Sequence, residues 1–281
     1  MCPGRSYCKK IMQSRQSTGC IYISESCNFF LKLVRKKKYC DSIYLCNKSN
    51  SMLSNLPFYI TILFIFTTIL AVIFFIAAAR ENNSTGTIIV ISVIIIAWLI
   101  AHTILALKYF YTVTDTIPPR FTLMILPPLF GILILFITKA GRRFIDSLSL
   151  KILTQLHIVR IFVEIILFWL FLYKYIPGLM TFEGRNFDIL SGLSAPLIAY
   201  FGFTKNVLTK KFMLVWNVIC LLLLLNIVVN AILSAPFPFQ QFAFDQPNIA
   251  VLYFPFVWLP CFIVPVVLFS HLVLIRRLPK K

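Results

Sequence analysis

Seven long apolar stretches dominate the chain, at 57–79, 87–107, 121–138, 152–173, 187–203, 212–233 and 251–275. Each comes close to or exceeds the roughly 20 residues a helix needs to cross a ~30 Å hydrocarbon layer. Runs such as Ile88 to Ile100 and Leu221 to Leu225 do not alternate apolar and polar residues, which excludes the ten-residue in-out pattern of a membrane barrel. With 59% hydrophobic and 13% charged residues over 281 positions, a soluble domain is excluded as well. The expected fold class is all-α, a polytopic integral membrane protein built as a seven-transmembrane-helix bundle.

Lys and Arg between the stretches set the expected orientation. Arg80, Lys139, Arg142, Arg143, Lys151, Lys205, Lys210, Lys211, Arg276, Arg277, Lys280 and Lys281 fall on one side, and Lys108, Arg120, Lys174 and Arg185 on the other. The first side is assigned to the cytoplasm, so the C-terminus is expected inside and the residue preceding the first span outside. Tyr109, Phe110, Tyr111, Tyr173 and Tyr175 then fall at outer ends, where aromatic belts form. The expected location is the bacterial cytoplasmic (inner) membrane.

Residues 1–51 depart from this pattern. They carry Arg5, Lys9, Lys10, Arg15, Lys32, Arg35, Lys36, Lys37, Lys38 and Lys48 against Glu25 and Asp41, a block that this orientation would require to cross the bilayer. The apolar stretch within it is interrupted by Ser, Glu, Cys and Asn, unlike a secretory signal. Six of the eight cysteines lie here, at spacings that match no common zinc pattern. The expectation is a basic N-terminal segment, either disordered or preceding a true start at Met52, followed by the seven-helix domain over 52–281. Without that segment seventeen basic and seven acidic residues remain, an ordinary positive-inside bias that implies no nucleic-acid partner.

The chemistry lies in ionisable groups inside the spans. At ~100° per residue His157, Arg160 and Glu164 share one face of span four. Counted from the inner end at ~1.5 Å per residue, they lie roughly 8, 12 and 18 Å deep. A charge at such depth costs roughly 2.5–3.5 kcal/mol and usually has a partner or faces a polar interior. Arg160 and Glu164, four residues apart, are expected either to neutralise each other or to form a site where Glu164 takes a proton or cation and Arg160 holds an anion. His271 falls at a depth similar to His157 but reads as interfacial beside Arg276 and Arg277, and His102 is too far away to join them. Two histidines make an incomplete metal site, so neither metal nor cofactor is expected.

Span five is the shortest and richest in breakers, with a small-residue stripe at Gly192, Ala195, Ala199 and Gly202 and a proline at Pro196. Such a span can pack closely or expose backbone to a ligand. The polar stretch before it contains Glu183, Arg185 and Asp188, expected at the outer interface, with Asn186 as N-cap. This loop is expected to roof a cavity between spans four and five. Asn217, Asn226 and Asn230 on span six read as helix-fastening groups or as the lining of a solute path.

No HExxH, GxSxG, phosphate-binding glycine loop or span-seven lysine is present, and no residue is assigned a catalytic role. The leading expectation is small-solute transport or ligand sensing through a buried polar site on spans four and five. Its candidate ligand- or proton-binding residues are Arg160, Glu164, His157, Glu183, Arg185, Asp188 and Asn226. The alternatives are a membrane-embedded enzyme acting on a lipid or isoprenoid, and a structural membrane subunit. The expected partners are the lipid bilayer and a small-molecule or proton ligand, with oligomeric state open.

Overall fold

In the computed structural model, residue 53 and residues 56–279 are described, and the basic, cysteine-containing segment and the start at Met52 fall outside them. The described residues form helices α1 (Phe58–Arg80), α2 (Thr85–Leu107), α3 (Thr122–Ile137), α4 (Lys139–Ser147), α5 (Leu150–Leu156), α6 (Val159–Leu172), α7 (Ile189–Ala199), α8 (Lys210–Leu233) and α9 (Val264–Arg277), with no strand among them. The all-helical expectation therefore holds. Five helices are long and apolar enough to cross a membrane, counting α5 and α6 as one continuous span over Leu150–Leu172 and taking the last as Leu259–Arg277. A sixth is reached if the bent pair α3 and α4 is one span.

Side-chain oxygens start several helices where the first backbone N–H groups lack partners. Ser84 Oγ accepts from Thr87 N, Thr138 Oγ1 from Gly141 N and Thr209 Oγ1 from Phe212 N. Thr138 also marks a 93° turn between α3 and α4. A Cβ at Gly141 would collide with the Leu135 backbone, so this turn requires a residue without one. α4 then buries Gly141 and Ile145 and exposes Lys139, Arg143 and Asp146.

The span Leu150–Leu172 and the span ending in α9 form the centre, and α2 lies at the periphery. On α2 only His102 and Ala106 are buried, and most of its Ile and Val side chains form an exposed apolar surface. One end of the bundle gathers most of the basic residues, Lys151 and Arg277 among them. Ser149 N donates to Ala78 O, Asn82 to Ser147 O, and Arg277 to the carbonyls of Ile145 and Leu148. The opposite end gathers aromatic rings, including Tyr59 with Trp169, Tyr109 with Tyr253 and Phe121 with Phe237.

One backbone carbonyl freed by a proline finds a side-chain partner, as a low-dielectric interior favours. Pro265 has no N–H for the carbonyl four residues earlier, that of Cys261. Trp98 Nε1 from α2 donates to it at 2.9 Å. Leu259–Ile263 is wound as a π-helical turn entering α9, so an indole on a peripheral helix completes the hydrogen bonding of a central one. The other π-helical turn, Tyr200–Thr204, extends α7.

Two expected spans are shorter than the sequence suggests. The last begins at Leu259 instead of 251, because residues 250–258 form 3₁₀ and turn structure. The fifth stretch yields helical residues only over Ile189–Thr204, below the length of a full crossing.

Candidate functional site

The half-length of α7 has a physical cause in the loop before it. That loop descends along one face of α6, and the contacts are ordered. The Phe182 ring lies 4.8 Å from that of Phe168, Asn186 reaches Glu164, and Asp188 reaches Arg160. One turn into α7, a Cβ on Gly192 would meet Ile161 Cγ1 at 2.8 Å, Ile161 N at 3.0 Å and His157 O at 3.3 Å. Residues 168, 164, 160 and 157 mark one face of the span, and the loop and α7 run antiparallel to it.

Irregular backbone at this depth must be satisfied by protein. Arg185 N donates to Leu179 O, Asn186 N to Thr181 O, and Asp188 N to Asn186 Oδ1 at 3.0 Å. Asn186 Nδ2 donates to Met180 O at 3.0 Å and to Glu164 Oε1 at 2.5 Å. Asn226 Nδ2 on α8 donates to Arg185 O at 2.8 Å, and Asn230 Nδ2 bonds to Asn226 Oδ1 at 3.3 Å. Asn186 is therefore the clasp of the loop. It is not the expected N-cap, a position that Asp188 occupies without a side-chain capping bond.

Arg160 pairs with Asp188. The expected pairing with Glu164 does not form, because Asp188 arrives on the descending loop with both carboxylate oxygens facing the guanidinium. Nε donates to Oδ2 at 2.6 Å and Nη2 pairs with Oδ1. Nη1 donates to His271 Nε2 at 3.1 Å and Nη2 to Cys220 O at 3.2 Å. Three hydrogen bonds to protein and the ion pair with Asp188 occupy the guanidinium, so an anion at Arg160 would compete with Asp188.

His271 lies fully inside the bundle, correcting its expected interfacial position. Because a guanidinium only donates, His271 Nε2 accepts. Its Nδ1–H then donates to Asn217 Oδ1 at 2.7 Å, and Asn217 Nδ2 returns a bond to His271 O at 3.0 Å. His157 stacks on His271 with ring centroids 4.1 Å apart. Its Nε2 faces Ser270 Oγ at 3.5 Å, whose own proton goes to Leu153 O, and its Nδ1 has no partner. Stacked rings do not converge on a common ion, and no group of three or more potential metal ligands occurs among the described residues.

Above this cluster lies a cavity of about 280 Å³, walled by α3, α6, α8 and the span that ends in α9. The cavity is therefore not between spans four and five, and from the α7 side only Asp188 and, in the loop before it, Met180 line it. Its walls are apolar, among them Met124, Val163, Leu167, Ile227, Ala235 and Leu252, and its polar residues are Arg160, Glu164, Asp188 and Asn248. Glu164, 1% exposed, keeps Oε2 without a hydrogen-bond partner, and Asn248 Oδ1 is likewise unpartnered. Its Nδ2 donates to Ala231 O. Asn248 belongs to the loop between α8 and the last span, and its isolated position in sequence offered no signal of a role.

Of the residues singled out in the sequence, Arg160, Glu164, His157 and Asp188 come together in the buried centre. Glu183, Arg185 and Asn226 are exposed and outside the cavity lining. His102 stands apart. The Tyr111 phenol is hydrogen-bonded to its Nδ1 at 2.7 Å, and burial raises the phenol's proton affinity above its ordinary value.

No curated protein and no solved structure matches the chain. A family model does match, over residues 117–279, which takes in α3 to α9 and every residue of the buried centre and leaves out α1 and α2. The chain belongs to that family, described as Domain of unknown function (DUF8737).

Proposed function

We propose that the protein binds a small amphiphilic molecule in the cavity at Glu164, as a transporter or a ligand-responsive membrane protein. The observation that carries this reading is the carboxylate oxygen Glu164 Oε2, buried beside open space and without a partner. Buried polar atoms in folded proteins are nearly always hydrogen-bonded, and an exception invites a functional explanation. An apolar cavity of about 150 Å³ holds benzene, so 280 Å³ has room for roughly ten non-hydrogen atoms by the same measure.

The proposal includes seven crossings, the C-terminus in the cytoplasm and placement in a bacterial inner membrane. Support comes from the basic residues gathered at one end and the aromatic rings at the other. The fifth crossing would be a composite, with α7 in the inner half and the descending loop in the outer half. Discontinuous spans of this kind border ligand sites in transporters.

The test uses the purified protein in phosphatidylcholine nanodiscs, with octan-1-amine, octan-1-ol and octanoate as probes and empty discs as reference. At least one probe is expected to bind saturably and to raise the unfolding temperature. Ala235→Phe, which fills the cavity without touching Glu164, is expected to abolish that binding. Absence of saturable binding by any probe, or binding indifferent to Ala235→Phe in a folded variant, refutes the reading.

A further inference from the structure

Resting on that reading, we infer that the ligand is a single-chain cationic amphiphile, a protonated amine, which reaches Glu164 sideways from the bilayer through the gap between α3 and α8.

The head chemistry follows from which groups remain available. Arg160 is committed to Asp188, His271 and Cys220 O, and Glu164 has no ion-pair partner among the described residues. The Asn186 amide satisfies Oε1, leaving Oε2. The second unsatisfied group on the wall, Asn248 Oδ1, is also an acceptor. The unpartnered groups on the wall are thus acceptors, and one of them belongs to a carboxylate without an ion-pair partner among the described residues. An ammonium supplies both the donors and the compensating charge, whereas a carboxylate or phosphate head would bring an acceptor to acceptors and repel Glu164.

The route follows from what closes the cavity. On the aromatic end, Phe121 and Phe237 line it and stack at 4.4 Å, with Phe239 beyond at 5.6 Å. Toward the basic end, Arg160, Asp188 and the two stacked histidines fill the centre. Between these closures the walls run out to the bundle surface at Leu129 on α3, 37% exposed, and Leu225 on α8, 43% exposed. α3 and α8 make little direct contact with each other, and on α3 only Met124 is buried. Among the described residues, the flank that reaches the surface is lined by Leu, Ile and Val side chains and faces acyl chains, which suits a ligand already dissolved in the membrane.

The experiment has two arms. In the first, wild-type protein in phosphatidylcholine nanodiscs is titrated with the three eight-carbon probes. Octan-1-amine in its protonated form is expected to bind at least tenfold more tightly than octan-1-ol or octanoate, a preference that Glu164→Gln removes. The wild-type comparison stands even if that variant does not fold. In the second arm, Leu225→Trp narrows the gap and is expected to slow association of octan-1-amine at least fivefold while changing its equilibrium affinity less than twofold. Tightest binding by octan-1-ol or octanoate overturns the assigned head chemistry while leaving small-molecule binding intact. An unchanged association rate in Leu225→Trp, or acceleration by Phe237→Ala alone, overturns the lateral route.

Discussion

Asp188 and Arg160, 28 residues apart in the chain, meet in a buried two-point ion pair that ties the start of α7 to the first turn of α6. This pair, and not one between Arg160 and Glu164, neutralises the guanidinium. Glu164 is left free to face the cavity, so the pairing choice at Arg160 creates the candidate site.

Breaking that pair from either side should be costly. Arg160→Met or Asp188→Leu alone leaves an uncompensated buried charge and is expected to destabilise by about 3–5 kcal/mol. The double variant is expected to recover most of the loss, because an apolar pair of similar volume removes both charges together. Denaturant unfolding of the solubilised protein checks this, and a double variant as unstable as the sum of the singles would contradict it.

Gly192 should tolerate no side chain cheaply. Ile161 Cγ1 can swing away from an added Cβ, but Ile161 N at 3.0 Å and His157 O at 3.3 Å are backbone. Gly192→Ala is expected to cost about 1–3 kcal/mol through overpacking. Gly86→Ala on α2 meets open space and should leave stability unchanged or slightly raised. Melting temperatures of the two variants, measured side by side, separate close packing from a general intolerance to change.

The two stacked histidines should respond differently to the same substitution. His271→Phe strands an Arg160 N–H and Asn217 Oδ1, a loss expected to cost about 1–3 kcal/mol. His157→Phe keeps an aromatic ring beside His271 and removes an unpartnered nitrogen, so its effect is expected to be near zero or slightly stabilising. Equal destabilisation by both would show that His157 Nδ1 has a partner in the membrane.

Loosening the descending loop should be graded by its clasps. Asn226→Ala removes its bond to Arg185 O and the longer one it accepts from Asn230 and is expected to cost about 0.6 kcal/mol for the loop contact, the average for cross-helix polar contacts in membranes. Asn186→Ala removes the bonds to Glu164, Met180 and Asp188 together and should cost more, about 1–3 kcal/mol. Hydrogen–deuterium exchange over residues 178–188 is expected to rise slightly in the first variant and strongly in the second.

Hydropathy and charge placement were enough to read the helical class, the positions of most spans and the shared face of His157, Arg160 and Glu164, because each depends only on local composition or on a period of 3.6 residues. The 93° bend after Ile137 depends instead on a close approach of Gly141 to the Leu135 backbone that hydropathy does not register, and the shortness of α7 on contacts between distant residues. The same holds for the pairing of Arg160 with Asp188. An i to i+4 neighbour such as Glu164 is the natural partner when one helix is considered alone. Once the 178–188 loop folds down beside α6, Asp188 offers two oxygens to the guanidinium and prevails. His271 and Asn248 were hidden for a related reason. Each bears one polar group in an apolar or loop setting, and only the packing of α6, α8 and the last span brings His271 to Arg160 and Asn248 to the cavity.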